Sequence, residues 1–333
     1  MKQSALHKNM LLFSCALCLG IPLLAQDVVF LQPYSSPLAL NPAYTGSERH
    51  MRIGVAYQHQ LLSAEPSMAS TFYADYYFDE LKSGVGISAV ADMQGGGMLT
   101  QTSVGASYAY NLRLAQQTFL RFGIQALADV FLTSASRFIF PDNIGYGGEV
   151  SASEAYASEQ RVGFDMALGG VFTHRSLYVG LAVRNLLGQP SGVLAGQTIS
   201  TPLAFTLHGG YNIRLSNAYS TKNSYLSPNV MYCKHGEFQM FSAGANFLYR
   251  VVSLGAYYRK TLDGASFFIL GAAYSPDLFT ISYHFGYGSA SANPTYSSNI
   301  HEVALSFRVK YATPSTYRNF RQSEAQNYNF PRF

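Results

Sequence analysis

Phe119-Leu120-Arg121-Phe122-Gly123-Ile124-Gln125-Ala126-Leu127-Ala128-Asp129-Val130-Phe131 sorts its side chains by parity. Leu120, Phe122, Ile124, Ala126, Ala128 and Val130 alternate with Arg121, Gly123, Gln125 and Asp129. Successive side chains of a strand point to opposite faces, so the stretch reads as a strand with one apolar face and one face carrying all its charge. A lipid-facing surface requires that separation, since Arg or Lys at the bilayer midplane costs about 2–4 kcal/mol.

The pattern recurs from Met51 onward in segments of roughly ten residues separated by turn residues. Ile53, Val55 and Tyr57 oppose Arg52, Gly54, Ala56 and Gln58. In Ser67–Phe78, Met68, Phe72, Tyr76 and Phe78 oppose Thr71, Tyr73, Asp75 and Tyr77, and in Ser83–Met93, Val85, Ile87, Ala89 and Ala91 oppose Gly84, Gly86, Ser88 and Asp92. Further strands are expected at Leu99–Leu112, Thr118–Phe131, Val162–His174, Leu177–Leu187, Leu203–Arg214, Asn229–His235, Phe238–Tyr249, Val251–Lys260, Ser266–Tyr274, Leu278–Gly286 and Glu302–Tyr311. The pattern predicts an all-β fold, a transmembrane antiparallel outer-membrane β-barrel of about 14 strands.

Composition agrees. The 333 residues are 48% hydrophobic and only 12% charged, about half the charged share of an ordinary soluble domain. That argues against a water-facing sandwich or propeller of this size. Tyr57, Tyr108, Tyr110, Tyr178, Tyr257, Tyr258, Tyr274 and Tyr283 are expected as an aromatic girdle at the bilayer interfaces. A net charge of +4 without a Lys/Arg run gives no support to nucleic acid as a partner.

Lys2 and Lys8 precede an apolar run from Met10 to Leu24 that ends at Ala25, the pattern of a secretory signal peptide over residues 1–25. Its removal leaves Cys233 as the single cysteine and so no intramolecular disulfide. Residues 26–50 hold Pro33, Pro37 and Pro42 and cannot form a central strand or an ordinary helix. They are expected as an extended lead-in or periplasmic plug, followed by the barrel at 51–311 and a short periplasmic tail at 312–333. The long connections Thr133 to Gln160, Gln189 to Thr201 and Gly286 to Asn299 suit the external face.

The lead-in reads Q-D-x-x-F-x-Q through Gln26, Asp27, Phe30 and Gln32, then Leu40-Asn41-Pro42-Ala43-Tyr44-x-Gly46. In this it resembles the PorP/SprF family, outer-membrane proteins of the type IX secretion and gliding machinery of Bacteroidetes. Leu177 to Leu186, Leu254 to Arg259 and His301 to Arg308 resemble that family's mid-chain, later and closing strands. The tail beyond the closing strand departs from its pattern. The resemblance implies an outer-membrane component with no catalytic role and no cofactor. It would assemble or anchor periplasmic ring and peptidoglycan-linked proteins, or serve one secreted adhesin, with outer-membrane lipids around it. Asn41, Pro42, Ala43, Tyr44 and Gly46 are the candidate partner-binding residues, Asn41 bonding local backbone and Tyr44 packing on the barrel at its periplasmic mouth. A passive channel for small or hydrophobic solutes is the alternative.

Catalytic and metal constellations are sparse. The histidines lack paired ligand spacing, and Gly95-Gly96-Gly97 reads as a turn. Ser282 and His284 share a face, but the sequence orients no base toward the serine. Asp75, Asp92, Asp129 and Asp165 with Arg121, Arg184 and Arg259 are expected inside, lining a pore or filling the lumen.

Overall fold

The computed structural model describes residues 29–48, 50–61, 66–134, 159–188, 201–215, 224–289 and 297–309. The expected signal peptide, the tail and most of the long connections lie outside these residues. The strands are β1 (Met51–Leu61), β2 (Ser67–Phe78), β3 (Ser83–Gln94), β4 (Leu99–Ala115), β5 (Thr118–Thr133), β6 (Glu159–His174) and β7 (Leu177–Arg184). They continue as β8 (Ala204–Tyr211, resuming over Ile213–Arg214), β9 (Ser224–His235), β10 (Phe238–Tyr249), β11 (Val252–Thr261), β12 (Ser266–Tyr274), β13 (Phe279–Ser289) and β14 (Ser297–Val309). Each pairs antiparallel with its sequence neighbours, and β14 returns to β1 in register from Met51↔Val309 to Leu61↔Asn299. The result is a closed barrel of 14 strands, without a free edge.

Burial is inverted relative to a water-soluble protein. Val55, Tyr57, Phe72, Val85, Ile87, Phe122 and Ile124 are exposed on the outer surface, while Arg52, Gln58, Asp75, Ser88, Arg121, Gln125 and Asp129 are buried inside. Hydrocarbon receives the first set, and hydrogen bonds within the lumen satisfy the second. The tyrosine girdle needs one correction. Tyr57, Tyr108, Tyr110, Tyr258, Tyr274 and Tyr283 face outward, but Tyr178 and Tyr257 are buried in the lumen. Their parity explains it, since each shares a face with an inward arginine two or six residues on, Arg259 and Arg184.

Most expected boundaries agree with the observed strands to a few residues, and two strands start five residues early, β14 at Ser297 rather than Glu302 and β9 at Ser224 rather than Asn229. Pro228 hid the start of β9, since proline cannot donate to a ladder. It is tolerated because β8 breaks opposite it: Leu226 pairs with Ile213 and Asn229 with Gly210, and Asn212 interrupts the strand between them.

Connections at one end, the turn end, include the tight links around Lys82, Gln117, Arg175, Arg250 and Pro276. The opposite loop end carries the long links after Thr133 and Arg184. The lead-in is present but wound. Pro33, Pro37 and Pro42 each open a short helical turn, Pro33–Ser35, Pro37–Leu40 and Pro42–Tyr44, because a fixed φ and a missing donor suit the first position of a turn. It runs down the lumen from Val29, beside Arg259 and Thr261 near the loop end, to Ser47 near the turn end, where β1 begins.

Candidate functional site

The lumen is occupied by this segment, and barrel arginines hold its backbone. Arg259 on β11 donates to the carbonyls of Val29 at 3.3 Å, Phe30 at 2.7 Å and Leu31 at 3.0 Å. Arg184 on β7 donates to Ala39 O at 2.7 Å. Arg121 on β5 donates to Ala43 O at 2.9 Å and Thr45 O at 2.6 Å. A segment of short turns leaves many carbonyls without helical partners, and a guanidinium offers five donors in a planar fork. Further bonds come from Gln58 Oε1 on β1 accepting from Leu31 N (2.8 Å), Glu302 Oε2 on β14 accepting from Gln32 N (3.2 Å), the Tyr257 hydroxyl on β11 accepting from Gln32 Nε2 (3.0 Å), and Thr71 on β2 bonded to Ser36 (3.1 Å). The segment is thus fastened on all sides.

Asn41 to Gly46 rest on wall positions where a side chain would not fit. A Cβ on Gly123 would overlap the backbone of Pro42 and Ala43, one on Gly169 the Asn41 side chain, and one on Gly84 the backbone of Thr45. The absence of a side chain brings two backbones into contact. Asn41 Oδ1 accepts from Ala43 N at 2.9 Å, so its Nδ2 donates to the carbonyls of Gly170 (3.3 Å) and Leu181 (3.1 Å). Both amide atoms are therefore assigned by their partners. The same Nδ2 lies 3.4 Å from His208 Nε2, whose other ring nitrogen faces the hydroxyls of Tyr44 (3.4 Å) and Tyr34 (3.5 Å). Burial, reinforced by neighbouring Tyr178, pushes both hydroxyls well above their ordinary pKa and keeps them neutral.

At the turn end a second cluster ties the segment to β1. Arg52 grips Asp75 through Nε–Oδ1 (2.9 Å) and Nη2–Oδ2 (3.0 Å), and Asp75 Oδ2 accepts from Gly46 N at 2.6 Å. Gly46 itself adopts φ +65°. Glu48 accepts from Arg52 at 3.4 Å and from Arg308 at 2.8 Å. Toward the loop end the filling loosens into a cavity of about 370 Å³ lined by Gln58, Gln60, Asp92, Gln94, Met240 and Arg259 among others.

The model of the type IX secretion system membrane protein PorP/SprF matches residues 23–307. The chain belongs to the PorP/SprF family. In this PorP/SprF barrel the stretch that carries the resemblance, Leu40 to Gly46, is the part seated on the glycine floor. Solved structures match the fold at low identity. The toluene transporter TbuX of Ralstonia pickettii has 10% identity and a TM-score of 0.53 over 81% of this chain and 92% of its own. The toluene transporter TodX of P. putida has 10% and 0.52 over 82% and 93%, and the CymD monoaromatic hydrocarbon channel 12% and 0.51 over 83% and 93%. No curated protein matches the chain in sequence. A member of this family, folded as such barrels are, resides in the outer membrane.

Every acid and arginine expected inside this PorP/SprF barrel does face the lumen, with Asp92, Asp129 and Asp165 buried and Arg184 half-buried. Sequence reasoning missed what the arginines hold: segment carbonyls. It also missed His208 as a hub, although the facing Gly180, whose Cβ would overlap the His208 ring, was a usable signal. Ser282 and His284 share a face as expected, and His284 Nδ1 stands 3.6 Å from Glu302 Oε1. All three are buried beneath the segment, whose Gln32 bonds Glu302. Among the described residues no group of three or more His, Cys, Asp or Glu is placed to hold a metal ion.

Proposed function

We propose that this barrel is a non-catalytic docking member of the type IX secretion machinery, holding a segment of a secreted adhesin at the outer membrane. The observation that carries the reading is the occupied lumen: among the described residues, Val29 to Ser47 are bonded to β1, β2, β4, β5, β6, β7, β11 and β14, leaving a cup of about 370 Å³ toward the loop end. Long connections of such barrels face outside, so the cup faces a secreted partner, with the start of the segment, Val29, in its lining. Asn41, Pro42, Ala43, Tyr44 and Gly46 serve the partner as positioning residues, by anchoring the far end of the segment whose start lines the cup. The cup is lined by polar and apolar groups together, which suits a peptide better than a purely apolar solute. The barrels titled as toluene or hydrocarbon transporters share the fold with this chain, and at about a tenth identity that fold is compatible with either role.

The test is a gentle-detergent pull-down of the tagged protein from native outer membrane, with wild type and Tyr44→Ala compared and each also reconstituted for single-channel recording. Recovery of one large secreted protein, lost in the variant while the barrel still assembles, is the expected result. Secretion and recovery unaffected by Tyr44→Ala would end the positioning reading. Recovery of periplasmic ring or peptidoglycan-linked proteins instead would make it an assembly component, and the barrel alone with steady conductance would make it a solute channel.

A further inference from the structure

Among the described residues, a cation stands at or beside each of six hairpins of the turn end. Lys82 joins β2 to β3, Arg113 lies in the last turn-end residues of β4, Arg175 joins β6 to β7, Arg214 ends β8, and Arg250 joins β10 to β11. At the sixth hairpin, between β12 and β13, Arg308 of β14 donates to Pro276 O at 3.3 Å. Lys82, Arg175 and Arg250 occupy the left-handed region, at φ 51°, 52° and 57°. The loop end meets the same geometric need differently, with positive φ at Gly95, Gly96, Gly97, Gly188, Gly236 and Gly264 and at Asn185. Glycine enters that region without penalty and asparagine with little, whereas a long basic side chain meets the ordinary Cβ conflict. Backbone conformation therefore does not select these cations, so their selection lies in what the side chains contact.

Their neighbours indicate the contact. An exposed aliphatic stands one or two residues from a cation at five of the hairpins: Leu81, Leu114, Leu177, Leu215 and Val251. Asp79, Glu80, Glu48 and Asp277 share this end, with Glu48 bonded to Arg52 and Arg308. We propose that this rim binds phospholipid, Lys82, Arg175 and Arg250 each donating to a headgroup phosphate of the adjoining leaflet while Leu81, Leu177 and Val251 enter the upper acyl layer. An acidic protein face would engage the cations but leave the aliphatics in water. A lipid satisfies both, and the rim of a membrane barrel lies at headgroup depth.

The experiment uses the full chain purified in detergent, wild type against K82G/R175G/R250G, with native mass spectrometry of retained phosphatidylglycerol and phosphatidylcholine. Glycine already suits these backbone angles, so the variant is expected to keep the heat-modifiable gel shift of a folded barrel, with an unfolding midpoint no lower than wild type. Phosphatidylglycerol retention is expected to fall about fivefold per cation removed, on the order of 10²-fold for three, with phosphatidylcholine little changed. The asparagine triple variant should lose as much, which separates lost charge from a glycine effect. Unchanged phosphatidylglycerol retention in both variants would overturn the proposal. So would unchanged lipid together with loss of a periplasmic protein from the native-membrane pull-down, which would reassign the rim to that protein.

Discussion

Replacing Arg121 with Met keeps the length of the side chain and removes its two charge-assisted bonds, 2.9 Å to Ala43 O and 2.6 Å to Thr45 O. Bonds to charged groups contribute about 1.5–3 kcal/mol each, and their loss here strands two buried carbonyls. Water entering the gap restores part of that, so the segment should be loosened by about 2–4 kcal/mol. Local opening of Asn41 to Gly46 then becomes roughly 30- to 10³-fold more frequent. Two amides report it: Thr45 N donates to Pro42 O at 3.1 Å and Gly46 N to Asp75 Oδ2 at 2.6 Å. Hydrogen exchange at both should quicken by that factor under conditions where exchange tracks opening, with the amides of β9 to β12 unchanged. Arg184→Met, which removes one 2.7 Å bond from a half-buried side chain, should accelerate Leu40 and Asn41 by less. If Thr45 and Gly46 exchanged at the wild-type rate in Arg121→Met, the view that arginines hold the segment in place would be refuted.

Two further outcomes follow from the same geometry. Gly169→Ala should displace Asn41 and lower the midpoint of segment release by an amount equivalent to about 1–3 kcal/mol, while Gly170→Ala, where the nearest atom to a new Cβ is Arg121 O at 3.9 Å, should be silent; protease sensitivity of the segment compares them. With the pKa of Tyr34 and Tyr44 raised, the unfolded chain gives up their protons at about pH 10 while the folded one keeps them, so stability is flat below that pH and falls above it by up to about 1.4 kcal/mol per pH unit per tyrosine. Unfolding midpoints against pH for wild type and Tyr34→Phe/Tyr44→Phe check this, since the double variant should lose part of the alkaline decline.

The barrel was largely legible in the sequence because its determinant is local. Lipid on one face and lumen on the other impose a two-residue period, readable inside each strand from residues such as Phe122 and Gly123. Pro228 blurred that period where β8 and β9 locally part. A plug is one of the two readings of residues 26–50, but the contacts that hold it were not legible, because they join residues far apart in sequence: Arg121 to Ala43, Arg259 to Phe30, Glu302 to Gln32. Glycines such as Gly84, Gly123 and Gly169 stood in the pattern only as small inward residues, and nothing near them in sequence names the backbone that fills the space. Tyr178 and Tyr257 were assigned to the bilayer by residue type when parity placed them inside.

The seam between β1 and β14 bears on how the molecule comes into being. Its eleven residue pairs, Met51↔Val309 through Leu61↔Asn299, join the first strand made to the last, the greatest loop closure the barrel contains. The ladder cannot close until β14 has been made, so β1 waits for its second partner while the intervening strands are added, and the pairing that ends the wait is slow and non-local. The segment that lies in the cylinder is joined directly to β1, one side of that seam. Closure of this seam therefore completes at once the wall that faces lipid and the cylinder in which residues 29 to 48 lie.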